Sequence, residues 1–335
     1  MRVLLIGGTG LISVGIVKHL LAMPNVEIVM FNRGKRGKPQ SDRIRTLVGD
    51  RNEFEVFEKR FAAERFDVVI DMICFTPAQA MSSVRAFGGR TTQFIFCSTV
   101  CSYGVKVPSY AVVDEQFPQE PISQYGRDKL ACERIFLDAH PTGAFATTII
   151  RPSHTYGEGS PMIDQLEPDA VAFDRIARGL PVLCAGDGLG LWNSTHRDDC
   201  GKLFAHAGLR PVTYGKSYNA TTQRVFTWRD FYREAAAALG TQAKLLFMPA
   251  EWIVKHDPRR FQLLNEITRY HGAYTSELAM QDVPQFTCDI DFPEGVKRTL
   301  DDVKQRGAWK DSSTDALYQK MVDEALASGV EPVVA

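Results

Sequence analysis

Six short apolar runs near the start of the chain restrict what it can fold into more than any other feature. Arg2–Ile6, Val26–Phe31, Arg45–Val48, Asp67–Ile73, Gln93–Cys97 and Ala146–Ile150 read as strands. Ile12–Ala22, Glu53–Glu64, Pro77–Gly88 and Tyr125–Ala139 read as helices between them. The strand runs are near-continuous Val, Ile, Leu and Phe, without a polar alternate face. Such strands are covered on both sides, the situation of a parallel sheet. Strands alternating with helices through right-handed crossovers then give a doubly wound α/β fold.

The second half changes character. Helical stretches at Asp169–Arg178 and Thr227–Leu239 flank the segment CAGDGLGLWNSTHRDDC. Lys216–Ala220 reads as a late strand returning to the main sheet, and helices near 292–306 and 314–328 follow. The expected division is a first domain over 1–160 with a return segment at about 193–222. A smaller, interleaved substrate lobe is expected over 161–192 and 223–335. With 335 residues, 44% of them apolar, the chain has material for such a core, and its net charge of -1 favours neither nucleic acid nor membrane. Seven scattered cysteines without a CxxC pair argue against a disulfide framework or a zinc site. With no apolar span and no room for a signal peptide before the first strand, a cytoplasmic location is expected.

The stretch IGGTGLISVGI, residues 6 to 16, lies between the first strand and the first helix. Gly7, Gly8 and Gly10 permit a tight turn and close approach of the backbone to a pyrophosphate, which the helix N-terminus then faces. Ser13 stands where a third glycine serves helix–strand packing, and its small side chain is tolerable there. This context makes the loop a dinucleotide site of Rossmann type. The cofactor-binding set is expected to include Gly7, Thr9, Gly10, Leu11, Ile12, Asn32, Arg33, Asp50, Arg51, Asp71 and Met72. The second strand ends in FNRGKRGK, with Asn32 at the position where an acid would bind the ribose of NAD. A neutral donor beside Arg33 favours the 2′-phosphate of NADP, with NAD as the alternative. For Asp50 and Asp71, structural roles as a loop cap and a satisfied carboxylate compete with cofactor contact.

Tyr125 and Lys129, in QYGRDKLACE, are four apart and project from one helix face. A nearby ammonium lowers a phenol pKa, and the phenol can then move a proton while hydride moves at carbon. Ser98 and Thr99 follow the strand ending FIFC, at the edge where open α/β sheets bind ligands.

Glycine loop, hydroxyl, tyrosine and lysine in this order resemble the extended short-chain dehydrogenase/reductase family, which includes nucleotide-sugar epimerases and dehydratases. RPSHTYGEG from Arg151 and GDGLGLWNSTHRDD over 186–199 extend the likeness. The second resembles a bacterial subgroup marked by GDG-x-x-LW-x-x-TH, labelled NAD-dependent epimerase/dehydratase. The resemblance implies catalytic roles for Thr99, Tyr125 and Lys129, and adds Lys129, Pro152 and Ser153 to the cofactor-binding set, with Lys129 gripping the nicotinamide ribose. It places Pro152 and Ser153 beside the nicotinamide, and makes Ser98, Thr99, Tyr125, His154 and Trp192 candidates for substrate contact. Val100 and Cys101 stand where the 4,6-dehydratases have an Asp-Glu pair, which argues against that elimination. Trp192 replaces an arginine that holds the substrate diphosphate in many nucleotide-sugar enzymes; it would stack on a sugar or base, or pack. Arg259 or Arg260 could supply the charge instead. His154 and His196 are expected to be hydrogen-bonded, and no metal is expected.

The implied function is an NAD(P)-dependent sugar-active oxidoreductase or epimerase. It would transfer hydride at a carbinol carbon of a sugar or nucleotide sugar, and could be a homodimer. The alternative is a non-catalytic or RNA-binding protein on the same fold, which the chloroplast stem-loop-binding relatives resemble. The complete hydroxyl–tyrosine–lysine set argues against it.

Overall fold

The structure is a computed structural model that describes residues 1–35, 37, 41–106, 112–168 and 171–335. Arg36 and Lys38 of the basic run, and Asp169 of the first expected second-half helix, lie outside the described residues. The chain forms two compact units. The first comprises Met1–Thr155, Arg197–Thr221 and Thr275–Asp289; the second comprises Tyr156–His196, Thr222–Tyr274 and Ile290–Ala335. The segment 275–289, placed in the second lobe from sequence, belongs to the first unit. Its Ala279, Val283 and Phe286 join that unit's aliphatic core.

The first unit is built on β1 (Arg2–Ile6), α1 (Leu11–Ala22), β2 (Glu27–Asn32), β3 (Ile44–Val48), α2 (Phe54–Phe61), β4 (Phe66–Asp71), α3 (Pro77–Phe87), β5 (Thr91–Cys97), α4 (Gln124–Ala139) and β6 (Ala146–Pro152). The strand Lys216–Ala220 adds beside β6, and the sheet runs from it through β6, β5, β4, β1 and β2 to β3. All neighbours are parallel. Ile6 lies opposite both Phe31 and Asp71, and Asp71 opposite Phe96, so these strands end together at one carboxyl edge.

The two faces of the sheet bury different chemistry. Val3, Leu5, Ile28, Met30 and Ile70 point to one side and pack on Ile16, Val17 and Leu20 of α1 and on Leu203 and Phe204 of the helix Arg197–His206. Leu4, Ile6, Phe31, Phe94 and Phe96 point to the other, against Phe57, Phe61, Phe87 and Phe136 of α2, α3 and α4. Phe31, Phe57 and Phe61 meet edge-on at centroid separations of 5.2–5.5 Å, a favourable aromatic geometry. The second unit has its own core, in which Trp192, Phe226, Trp228, Phe231 and Phe292 cluster.

The helix Arg197–His206 was not evident from sequence, where RDDC reads as the polar end of a motif. Cys200, Leu203 and Phe204 nevertheless give it one apolar stripe. It meets α1 backbone to backbone. A Cβ on Gly15 would come within 2.3 Å of Arg197 O, and one on Gly201 within 2.4 Å of Gly15 C. Lys18 Nζ donates to Asp198 Oδ2 at 2.5 Å at the same junction.

Gly15→Ala or Gly201→Ala should each destabilise the protein by about 1–3 kcal/mol or more, the usual range for overpacking, because backbone cannot rotate away from the added methyl. Urea unfolding measures this. Gly37→Ala, where an added Cβ meets nothing within 4 Å, is the control and should leave the midpoint unchanged.

Candidate active site

Gly7 has φ +87°, and a Cβ there would lie 2.6 Å from Ile73 Cγ2, so the turn excludes any other residue. Gly10 is different. Its nearest neighbour to an added Cβ would be Ser13 Oγ at 3.5 Å, an ordinary contact. Packing therefore does not require glycine at 10, which lies on a cleft wall where a Cβ would take up space meant for a ligand. Ser13 is buried, and its hydroxyl donates to Gly7 O at 2.8 Å. The serine thus ties the loop back to the helix, a role that glycine could not fill. α1 starts after Gly10 with no side-chain cap, which leaves its N-terminal end open to an anion.

Two clefts meet at this loop and share Gly7, Gly10, Ile73 and Phe75. One, of about 450 Å³, is lined by Thr9, Asn32, Arg33, Lys35, Asp50 and Arg51. The other, of about 320 Å³, takes in Leu11, Ile12, Met72, Ser98, Thr99, Tyr125, Lys129, Pro152 and Ser153. Volumes of this size are those of small-molecule and cofactor sites. Glycine turn, open helix end and two joined clefts suit a dinucleotide.

In the larger cleft Asn32 Oδ1 accepts the Gly34 N–H at 2.8 Å, and Arg33 and Lys35 are exposed. Asp50 Oδ1 accepts from Asn52 N and Nδ2 at 2.9 and 3.0 Å, which makes it a loop cap. Asp71 does not line either cleft. Both its oxygens accept from Arg51 Nη1, at 2.8 and 2.7 Å, with the pair almost wholly buried. Arg51 Nη2 continues to Gln79 O and Ser83 Oγ. Asp71 is thus a satisfied structural carboxylate, and what it does for the cleft is hold Arg51.

In the smaller cleft β5 delivers Ser98 and Thr99, and α4 delivers Tyr125 in its first turn. Ser123 caps α4, accepting the Gly126 N–H at 3.0 Å, and so fixes where the tyrosine emerges. Lys129 is buried one turn on. Its Nζ donates to Cys74 O at 2.8 Å and Cys97 O at 2.5 Å. Burial pushes the Tyr125 phenol above its ordinary pKa, although the ring is still 43% exposed; a hydrogen bond with Thr99 opposes the rise.

Sequence reasoning missed the buried polar group beneath these residues. Glu133, one turn beyond Lys129 on α4, accepts from Arg151 Nε at 2.9 Å and Nη2 at 2.6 Å, and from Ser98 Oγ. Arg151 Nη1 donates to the Tyr103 hydroxyl at 2.7 Å, which donates to Asn219 Oδ1 at 2.9 Å. The signal was the Tyr-Lys-Glu spacing of four and four on one helix face.

Other candidates lie elsewhere. His154 is in the first unit but is not on the cleft wall; burial pushes its pKa down to about 4, so it is neutral at pH 7. Trp192 is 8% exposed in the second unit's core, 4.9 Å between centroids from Trp228 and against Gly272. It packs rather than presenting a stacking face. Arg260 is neutralised by Glu167 and Asp315, at 2.7 and 2.8 Å. Arg259 carries a hydrogen bond from its N–H to Asp257. His196 Nε2 meets Glu158 Oε2 at 3.1 Å.

A sequence profile of the NAD dependent epimerase/dehydratase family matches residues 76–220. The 2′-dehydrokanamycin reductase of Streptomyces kanamyceticus is 30% identical over 252 residues, which span 75% of this chain and 70% of that protein. The chloroplast stem-loop binding protein of 41 kDa b of Arabidopsis thaliana is 23% identical over 274 residues, 78% of this chain and 67% of that one. Among solved structures, UDP-glucuronic acid 4-epimerase from Bacillus cereus, in complex with UDP-glucuronic acid and NAD, shares the fold with a TM-score of 0.73. That likeness covers 91% of this chain and 100% of that chain, at 18% identity. No described helix is long and apolar enough to cross a membrane.

Glu133→Ala would leave Arg151 buried without its carboxylate, and breaking such a pair costs about 3–5 kcal/mol. A loss of that size in urea unfolding is expected. Glu133→Gln should recover part of it, because an amide keeps an acceptor for Arg151.

Proposed function

This chain belongs to the NAD dependent epimerase/dehydratase family, and from that membership we propose that it is a nicotinamide-dependent oxidoreductase acting at a sugar carbinol or ketone. The observation that carries the proposal is the gathering of Thr99, Tyr125 and Lys129 on one cleft that runs into the glycine loop. When bound, the nicotinamide supplies or takes up a hydride at carbon. The chain's own residues handle the oxygen. Tyr125 gives or takes its proton, and Thr99, on the wall of the same cleft, orients it. In this reading Lys129 holds the nicotinamide ribose, and Pro152 and Ser153 bound the ring; that all three line the smaller cleft supports it.

Reduction of a ketone is favoured over epimerisation because the relative from Streptomyces kanamyceticus is by name a reductase. The substrate class proposed is a free or simply substituted sugar without a nucleoside diphosphate. Trp192 stands where an arginine would hold that group, and Arg260 is already paired.

A panel of sugar ketones, aminoglycoside ketones and nucleotide sugars, assayed with reduced nicotinamide, tests this reading. Turnover of the first two classes is expected, with Tyr125→Phe slower by about 10²–10⁴-fold. Turnover of nucleotide sugars alone would overturn the substrate class. Near-normal turnover by folded Tyr125→Phe would overturn the role given to the phenol, and no turnover of any of these classes by the wild-type protein would favour the binding-protein reading.

NADP is proposed as the preferred cofactor within the family's nicotinamide class. Arg33 and Lys35 on the cleft wall, with Asn32 in place of an acid at the end of β2, support it. Calorimetric titration should give tighter binding of NADP than NAD. Arg33→Ala should weaken NADP selectively, by about 1.5–3 kcal/mol for a lost charged hydrogen bond. Tighter binding of NAD by the wild-type protein would overturn the preference.

A further inference from the structure

Cys74 and Cys132 are 58 residues apart in the chain, so no local spacing joins them, yet their sulfurs meet in the fold. Cys74 lies in the loop between β4 and α3, and Cys132 lies on α4 between Lys129 and Glu133. Cys74 Sγ donates to Cys132 Sγ at 3.9 Å, and both residues are buried. Both are free thiols. The main chain of Cys74 is tied to the same helix, because Cys74 O accepts from Lys129 Nζ at 2.8 Å. Main-chain and side-chain contacts together hold the two sulfurs against each other.

The surroundings make the two thiols unlike. Donation from Cys74 holds the Cys132 thiol below its ordinary pKa, and the charges of Lys129 and Arg51 act the same way against burial and the Asp71 carboxylate. Burial, and then its own donation to Cys132, push the Cys74 thiol up. Cys97, at the end of β5, shows what burial does without such a partner: its thiol is pushed up to about 11. A thiolate is the nucleophile toward an oxidant, and a second thiol in contact resolves the oxidised sulfur. Cys132 is fitted to the first part and Cys74 to the second.

We propose that Cys74 and Cys132 are a reversible oxidation site that takes hydrogen peroxide as its oxidant and closes to a disulfide. The Cys132 thiolate attacks one peroxide oxygen and becomes a sulfenic acid, and the other oxygen leaves as hydroxide, which takes up a proton. Cys74 loses its proton, and its sulfur attacks the Cys132 sulfur and displaces the hydroxyl as water. Two protons and two electrons leave the thiol pair, and the peroxide is reduced to two waters. The sulfurs have to close by about 2 Å to reach bonding distance. Ile73 and Phe75, on either side of Cys74, line both clefts, so closure shifts the wall that the clefts share. Burial makes the reaction slow, since peroxide reaches the pair only when the loop opens.

Peptide mapping after peroxide treatment tests the site. Reduced protein is exposed to hydrogen peroxide, its remaining thiols are blocked, and it is digested without reductant. A linked pair of peptides carrying Cys74 and Cys132 is expected, with equal loss of blockable thiol at the two positions and recovery of both in dithiothreitol. Both residues recovered as blocked thiols, while the less buried Cys101 and Cys288 are oxidised, would overturn the proposal. In folded Cys74→Ser, Cys132 should stop at the sulfenic acid and be labelled by a dimedone-type probe. In folded Cys132→Ser, Cys74 should stay blockable; its loss there would overturn the roles given to the two sulfurs. Calorimetry of bridged protein should show weaker binding of NADP and NAD, restored by dithiothreitol, and this readout rests on the dinucleotide reading of the clefts. Equal affinity in bridged and reduced protein would overturn the link from the bridge to the clefts. Reduced protein that binds neither nucleotide would overturn the functional reading, while the peptide map still decides the oxidation site.

Discussion

One buried ammonium organises the carboxyl edge of the first unit's sheet. Lys129 Nζ is received by Cys74 O from the loop after β4 and by Cys97 O at the end of β5, with the Phe96 ring 4.4 Å away. A charge in that position must be partnered, and each partner comes from a different element. The contact therefore sets the rotation of α4 against two strand ends at once. With that rotation set, Tyr125 one turn earlier reaches the cleft beside Thr99, and Glu133 one turn later reaches the interior beneath Ser98. A single helix face thus runs from half-exposed phenol to fully buried carboxylate, and the site is ordered by depth along it.

Two buried ion pairs brace the same edge from below. Arg51 with Asp71 ties the loop after β3 to the end of β4 and, through Gln79 and Ser83, to α3. Glu133 with Arg151 ties α4 to β6 and, through Tyr103, to the returning strand at Asn219. Both sit in surroundings rich in apolar side chains, where an unpartnered charge is costly. Such pairs are poor general stabilisers. What they show here is that the loops beneath the clefts are each tied to a buried partner on another element.

The strands of the first unit's sheet were legible in the sequence because their apolar runs carry the burial signal locally, and their ends agree to within two residues. The second unit's Val182–Ala185 and Lys244–Met248, which pair with each other, were not read as strands. The glycine loop was legible because its meaning lies in its place between strand and helix. What was not legible depends on partners distant in the chain. Asp71 could be a ligand or a structural acid until Arg51 is seen against it. Trp192 could be a stacking surface until Trp228 is seen across from it. The helix Arg197–His206 hid behind a polar opening, and its apolar stripe means little until α1 supplies the surface it covers. The two carbonyls that hold the Lys129 ammonium were beyond any local pattern.

The backbone contact between Gly15 and Gly201 has a consequence for the chain as it is made. α1 is complete after 22 residues, yet the helix that covers its outer face arrives some 180 residues later. At ribosomal speeds of about 5–20 residues per second, that gap lasts on the order of ten seconds or more. Through that interval the nascent unit holds its dinucleotide loop on a helix with an uncovered apolar stripe, and β6 remains an open sheet edge. Long-range closure of this kind slows folding and leaves sticky intermediates. The halves of the chain therefore cannot mature in sequence. The first unit is finished only after most of the second has emerged between its parts, and its sheet edge and first helix stay uncovered until residue 201 and the strand after it are in place.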